Sequence, residues 1–430
     1  VVGKTSAAAA STPAACARCA RPTVSLGSAT PWCGHCEWNL DRYDEASTDP
    51  EFGWVWVDRR LRGIAYRLSR RQYAELAAAA GGRSRYGAAR IVLVVASVLL
   101  LGAFAALVAA SCWLLWRYPL LSLYTVLAAL GLATAVLMRP RLGRLHPLAR
   151  VVDADRAPEL HRLIREVADV VGVPPPHVVA VDESFSAYTS AVGPRRRRVL
   201  CLGLPLWAAL APQERVALLG HELGHFANGD IRRGLLTQPA FTMLGHAAQI
   251  LSPVSTHNPG GGLIGLLTDL VSRVVLWTLS RLVLAGHLLL LWVGLRDGQR
   301  AEYRADELAS VAAGSTAAVG LMDTLVGMDV VQMMVCREAR AGLGPADWRA
   351  VVANTRVESA AQLPLRRQLS IRRDVSLFAS HPPSGLRARL VEARPHRDPR
   401  IVLTEDRAAR IDAELAAEFA AVRRELAVVG

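Results

Sequence analysis

Two histidines flank a glutamate in the string Leu219-Gly220-His221-Glu222-Leu223-Gly224-His225. On a helix, residues four apart project from one face, so both imidazoles can reach a single Zn²⁺ at ~2.0–2.1 Å while Glu222 stands beside the metal. That arrangement generates a nucleophilic water and supplies a carboxylate as its base. The flanks favour a helix here: Val216-Ala217-Leu218-Leu219-Gly220 leads in, and Asn228-Gly229 offers a stop. A catalytic zinc needs a third protein ligand. Downstream, Glu302 and Asp306 share a helical face, so Glu302 can bind the metal while Asp306 orients a ligand histidine. A solvated charge face is the plainer reading of that pair taken alone.

Four of the seven cysteines crowd the N-terminus as Cys16-x-x-Cys19 and Cys33-x-x-Cys36. Pair-and-pair spacing of this kind is that of a four-thiolate structural zinc site, a zinc ribbon, in a reducing compartment. The string Pro31-Trp32-Cys33-Gly34-His35-Cys36 also looks like a disulfide-isomerase redox motif, which needs a thioredoxin-like βαβ context. Only about thirty residues rich in Ala, Ser and Pro precede it, so the ribbon is the better reading. Metal contributes folding energy to a module too small to bury a core, and docking to a protein partner or regulation is its expected use. Cys112, Cys201 and Cys336 are scattered and read as buried thiols.

The elements that position these groups are largely apolar. Hydrophobic residues make up 52% of the 430-residue chain and charged residues 20%, which excludes a disordered polyelectrolyte. The formal charge of +13 suits nucleic acid or a membrane, and the arginines decide between them. Arg83, Arg85 and Arg90, Arg139, Arg141 and Arg144, Arg232 and Arg233, and Arg296, Arg300 and Arg304 all lie just outside apolar runs, as in a multi-pass membrane protein. No nucleic-acid partner is expected. Ile91 to Trp116 is uncharged over 26 residues and long enough to cross a bilayer core of ~30 Å. Leu120 to Met138 follows as the second arm of a hairpin.

Leu235 to Leu251 and Leu263 to Leu295 are weaker spans, separated by an uncharged loop over 252–262. In the second, Asp269, Arg273 and His287 fall within ~40° of one another, so that stripe is expected to face protein or a wet cavity. Arginine placement puts the ends of both pairs in the cytoplasm, and the N-terminus carries no stretch of signal-peptide length. Between the pairs, Pro158 opens an amphipathic helix, and His177 to Val181 and Val199 to Leu202 read as strands of a small α+β unit. The run Arg198 to Leu202 is a candidate edge strand for pairing with substrate backbone.

Three stretches, in order, resemble the membrane-embedded zinc metallopeptidases that include the heat-shock protease HtpX and the CAAX prenyl protease. They are the His221–His225 string followed by Gly229-Asp230, then Glu302-Tyr303-Arg304-Ala305-Asp306, then His381-Pro382-Pro383-Ser384-Gly385-Leu386-Arg387. The resemblance implies that Glu302 is the third zinc ligand and that His381 and Arg387 belong beside the site, touching substrate or the developing oxyanion. One departure is Ser186-Ala187-Tyr188 where the family usually has Asn-Ala-aromatic. Its further implication is a hydrolase, a membrane-bound zinc endopeptidase acting on membrane or membrane-proximal proteins in a bacterial inner membrane, with its site facing the cytoplasm. A prenyl-protein or peptide-maturation protease, or a non-catalytic scaffold using the ribbon, are the alternatives.

The expected architecture is mainly α: a multi-pass membrane protein with an α+β zincin-type (gluzincin) catalytic domain and a small N-terminal zinc ribbon. The expected order is ribbon 1–45, linker and helices 46–90, transmembrane hairpin 91–138, catalytic part 139–234, a second hydrophobic pair 235–296 and a second catalytic part 297–430. Expected cofactors are two Zn²⁺, one at His221, His225 and Glu302 and one in the ribbon. Expected partners are a protein or peptide substrate, the lipid bilayer and a protein partner of the ribbon.

Overall fold

The structure is a computed structural model that describes residues 15–25, 30–43, 54–79, 88–139, 143–193, 195–229, 241–252 and 262–428. The expectations for residues 1–14, for the arginines at 83, 85, 141, 232 and 233, for Asp230 and for the loop over 253–261 lie outside the described residues.

Helix α1 (Val55–Ala78) occupies the region expected to hold short helices or a linker, as one element of 24 residues. Helix α2 (Ala88–Arg117) contains the apolar run Ile91–Arg117, long enough to cross a membrane. Ser122, whose hydroxyl accepts the N–H of Thr125, starts α3 (Leu123–Met138), which packs on α2. At 16 residues, ~24 Å, α3 is shorter than a typical bilayer core.

The chain then continues with β1 (Arg150–Val151), α4 (Pro158–Val171), β2 (Val178–Asp182), β3 (Ala187–Val192), β4 (Arg197–Gly203), α5 (Leu204–Ala209) and α6 (Pro212–Ala227). The sheet order is β1-β2-β4-β3, with β4 parallel to β2 and antiparallel to β3. This corrects the edge-strand expectation: Arg198 to Leu202 pairs on both sides, and the free edge belongs to β3. The reason is in the residues. Val199 to Leu202 are all buried, as a central strand requires, whereas every residue of β3 is half-exposed.

Helix α7 (residues 241–250) is the only described part of the first weak span. Helix α8 (Gly262–Ala313) runs unbroken for 52 residues, ~78 Å, so the boundary expected at 296/297 falls inside a continuous helix. Its apolar portion is the second element long enough to cross a membrane. On the expected polar stripe, Asp269 and Arg273 pair at 2.8 Å while His287 lies against Gly245 of α7.

Helices α9 (Ser315–Val326), α10 (Met328–Arg340), α11 (Pro345–Glu358), α12 (Leu363–Arg373), α13 (Ser384–Glu392), α14 (Glu405–Glu414) and α15 (Ala416–Val428) complete the fold. Although α9 and α10 together are apolar enough for a bent span, Leu321, Met322, Val331 and Val335 are buried in the main core with α6. That core joins β2, β4, α4, α5 and α6 to the C-terminal helices. Arg215 of α6, fully buried, grips Asp412 of α14 at 2.8 and 3.2 Å, and Arg356 of α11 holds Glu214 at 2.8 and 2.9 Å. The helix bearing the histidines is therefore braced by ion pairs as well as by its apolar face.

Candidate metal and catalytic site

Helix α6 begins at Pro212, where the missing N–H costs nothing, and the Glu214 carboxylate accepts the N–H of Ala211. Its last turns carry His221, Glu222 and His225. Helix α8 crosses it at small residues: a Cβ added to Gly220 would stand 2.9 Å from the Ala309 Cα, and one added to Gly224 would stand 3.0 Å from the Ala305 Cα. This crossing is what brings Glu302 to the histidines. The G-x-x-x-G of α6 and the Ala305, Ala309 and Ala312 series of α8 were legible signals that the motif reading passed over.

His221 Nε2 and His225 Nε2 each lie 3.4 Å from a different oxygen of Glu302, and the three ligand atoms fall within 4.8 Å of one another. Ligands ~2.0–2.1 Å from a tetrahedral zinc stand ~3.3 Å apart, so the donor set and its spacing fit a zinc-sized ion. The two rings are edge to face, with centroids 4.9 Å apart. Glu222 is buried beside them.

Behind the donors lies a charged layer. Asp306 Oδ1 is 3.0 Å from His221 Nδ1, which leaves Nε2 to face Glu302. Arg387 closes on Asp306 with both arms of its fork, Nε at 2.8 Å and Nη2 at 2.6 Å. At 3% exposure its guanidinium is buried, and the same Nη2 lies 3.2 and 3.4 Å from the two ring nitrogens of His221 and 3.7 Å from Glu302 Oε2. His381 differs: its side chain is 58% exposed while Nδ1 lies 2.6 Å from Glu302 Oε2. Burial opposes ionisation throughout, yet the partners win. Burial would push the His221 imidazole down, but Asp306 and Glu302 lift it to about 10. Glu302 is held well below the usual carboxylate range against its burial, by His221 and His381. Asp306 is held down against its burial by Arg387 and then His221.

The cysteines form the second donor cluster. The Cys16–Cys36 and Cys19–Cys33 sulfurs are 3.6 and 3.4 Å apart, too far for disulfides and near the ~3.8 Å edges of a tetrahedron of thiolates at 2.3 Å. Both pairs sit in matching knuckles, with Ala20 N–H donating to Cys16 O and Glu37 N–H to Cys33 O, each at 2.9 Å, and with Ala20 and Glu37 left-handed at φ 57°. The N–H groups of Cys36 and His35 pull the Cys33 thiol down against its burial, whereas burial pushes the Cys36 thiol up. Among the described residues this segment holds only two isolated bridges and a short 3₁₀ turn, without the βαβ setting that a thioredoxin-type site requires.

Ser186-Ala187-Tyr188 enters the edge strand β3, where Tyr188 lies opposite Cys201. Cys201 donates to Asp182 Oδ2 at 3.4 Å, and both the thiol and the Tyr188 phenol are pushed up by burial.

Comparison with known proteins agrees with this geometry. The model of Peptidase family M48 matches residues 154–394, a stretch that contains all three motif regions. Among curated proteins, a Protease HtpX homolog of Methanocaldococcus jannaschii is 28% identical over 134 residues, 31% of this chain and 46% of that relative. One of Syntrophobacter fumaroxidans is 29% identical over 156 residues, covering 33% and 52% of the two chains. One of Streptococcus pneumoniae is 32% identical over 104 residues, covering 23% and 34%. The chain thus spans between about a third and about half the length of these relatives. No solved structure matches it. With more than half its length under that one family model, and with apolar helices leading into the same domain, the chain belongs to peptidase family M48.

Proposed function

We propose that the protein is a membrane-anchored zinc endopeptidase that cuts membrane or membrane-proximal polypeptides from the cytoplasmic side. The observation that carries this is the convergence of His221, His225 and Glu302, with Glu222 on the same helical turn and an M48 match around all of them. Zinc bound there would polarise a scissile carbonyl and lower the pKa of a water toward neutrality. Glu222 takes the proton of the attacking water on its carboxylate and passes it to the leaving amine.

His381, exposed yet anchored on Glu302, donates to the carbonyl oxygen as negative charge builds there. Asp306 and Arg387 act from behind by fixing the tautomer and tilt of His221. The open edge of β3 accepts an extended peptide by backbone pairing, which makes recognition tolerant of sequence. Glu302 follows Leu295, the end of the apolar run, by seven residues, so the site lies ~10 Å of helix beyond the membrane segment. Arg296 and Arg300 at that exit, with Arg139 and Arg144 after α3, favour the cytoplasmic side and, in a bacterium, the inner membrane.

The test is Glu222→Gln in purified full-length protein. Zinc content should match wild type while cleavage of an unfolded polypeptide falls about 10²- to 10⁴-fold. Unchanged turnover would remove Glu222 from the chemistry.

A further inference from the structure

The two knuckles of the cysteine cluster differ: Ala17, Arg18, Ala20 and Arg21 of the first are exposed, whereas Trp32 and Cys33 of the second are buried. The second knuckle is clamped onto the protease domain. Trp32, fully buried, packs with Leu40 and Tyr43 against Leu369 of α12. Its indole N–H donates to Gln368 Oε1 at 3.1 Å, and Gln368 returns a bond from Nε2 to the Gly34 carbonyl at 2.6 Å. Gly34 itself sits so close that a Cβ there would stand 2.8 Å from Leu365 Cδ2. One residue past Cys36, Glu37 pairs with Arg70 of α1 at 2.8 Å and with Arg389 of α13.

Both contacts lead to the site. Helix α12 holds the start of α13 through Ser370, whose hydroxyl accepts the Gly385 N–H at 3.0 Å and donates to the Arg367 carbonyl at 2.9 Å. Ile371 and Val375 bury against Leu386 and against Ala65 and Tyr66 of α1. Arg387 follows Leu386, and Arg389 stands two residues further on the same helix. The chain of contact therefore runs from the Cys33–Cys36 knuckle through Gln368 and Arg389 to α13, then from Arg387 to Asp306 and His221.

We infer that Trp32 and Glu37, held in place by the metal-bound cysteine knot, are positioning residues for the protease site that seat α13 and, through Arg387 and Asp306, orient His221. This deepens the proposed function and rests on it for the catalytic readout only. The reasoning is physical. Glu37 adopts a left-handed backbone because the knuckle turns there, and an unmetallated knuckle has no comparable constraint on that turn. Helix α13 is short, nine residues, and its seat depends on neighbours more than on its own hydrogen bonds.

The experiment uses the full chain in detergent or nanodiscs with four variants. Trp32→Ala should keep both zincs, lower kcat about tenfold with KM nearly unchanged, and speed amide exchange in α13, in line with the ~10- to 100-fold effects of groups that support metal ligands. Trp32→Phe keeps an aromatic ring but loses the indole bond to Gln368, and should restore part of kcat. Gln368→Leu, which removes two bonds without emptying space, guards against a folding artefact and should act like Trp32→Ala. Cys33→Ser should lose one zinc and reproduce the same kcat and exchange changes. If Cys33→Ser loses its zinc while kcat and α13 exchange stay at wild-type values, the knot is an independent docking module and the inference is overturned. If the wild type cleaves nothing, the protease reading fails, while the exchange in α13 still decides the clamp.

Discussion

The two donor clusters are built in opposite ways. The cysteine set closes within 21 residues, Cys16 to Cys36, and needs only two tight turns to bring its sulfurs together. The histidine–glutamate set spans 82 residues, His221 to Glu302, and closes only because a helix that emerges from the apolar segment crosses α6 at glycine and alanine. A metal in the first cluster would stabilise a segment with almost no core of its own, whereas the second cluster closes on the large apolar core that packs α6. Removing a donor should therefore do different things in the two places.

The largest contrast is expected from Glu302→Ala. The protease site should lose its metal and all measurable cleavage, total zinc should fall from about two to about one per chain, and the fold should persist, because the apolar core that packs α6 is left intact. Elemental analysis together with circular dichroism checks this. Retention of both zincs would show that another group completes the ligand set.

Smaller in scale, and a sharper probe of the charged layer, is Asp306→Asn. The variant keeps shape but deprives Arg387, 3% exposed, of its nearest anion, with Glu302 Oε2 at 3.7 Å the next. Metal affinity or turnover should fall ~10- to 100-fold, and truncating one partner of such a buried pair costs about 3–5 kcal/mol. The layer acts on His221 and, among the described residues, does not touch the thiolates, so a zinc held there should be untouched. A competition titration with a chromophoric chelator separates the two sites. Equal weakening of both would mean general unfolding.

How much of this was legible in the residues follows the same division. Local periodicity announced His221, Glu222 and His225 on one helical turn and all four cysteines, because both sets depend on spacing within a few residues. Glu302 and Asp306 were candidates from their shared helical face, and resemblance to a family singled out Glu302 as ligand and placed Arg387 beside the site, since no periodicity can say which distant acid meets a histidine. Arg387 was expected beside the site, touching substrate or the developing oxyanion. Its burial behind Asp306 depends on how α13 seats on α12, which the sequence does not encode in any short pattern. The edge of the sheet was misjudged for a related reason: β4 and β3 are both plausible strands, and only the crossover that places β4 beside β2 decides which is outermost. The unbroken α8 was missed because Arg296 to Arg304 look like the start of a soluble segment, although charge at a membrane exit does not interrupt a helix. The clamp between Trp32 and Gln368 joins positions too far apart in sequence for any pattern to reveal.

The mildest expected effect is the most discriminating about how the second cluster closes. In Gly220→Ala the helix itself gains, since alanine is favoured over glycine by ~1 kcal/mol in a helix interior. Against this, the new Cβ would lie 2.9 Å from the Ala309 Cα and 3.2 Å from the Ala312 Cβ. The first of these is backbone and cannot rotate aside, so α6 and α8 must separate by a few tenths of an ångström. Overpacking of this kind costs ~1–3 kcal/mol, so the two contributions nearly offset and Tm should move by only a few degrees. Function has no such offset, because any separation of these helices draws Glu302 away from His221 and His225. Protease-site zinc affinity and kcat should therefore fall several-fold while Tm barely changes and the cysteine knot keeps its metal. A raised Tm with undiminished turnover would mean that the helix crossing has slack, and that closure of the histidine–glutamate cluster does not depend on it.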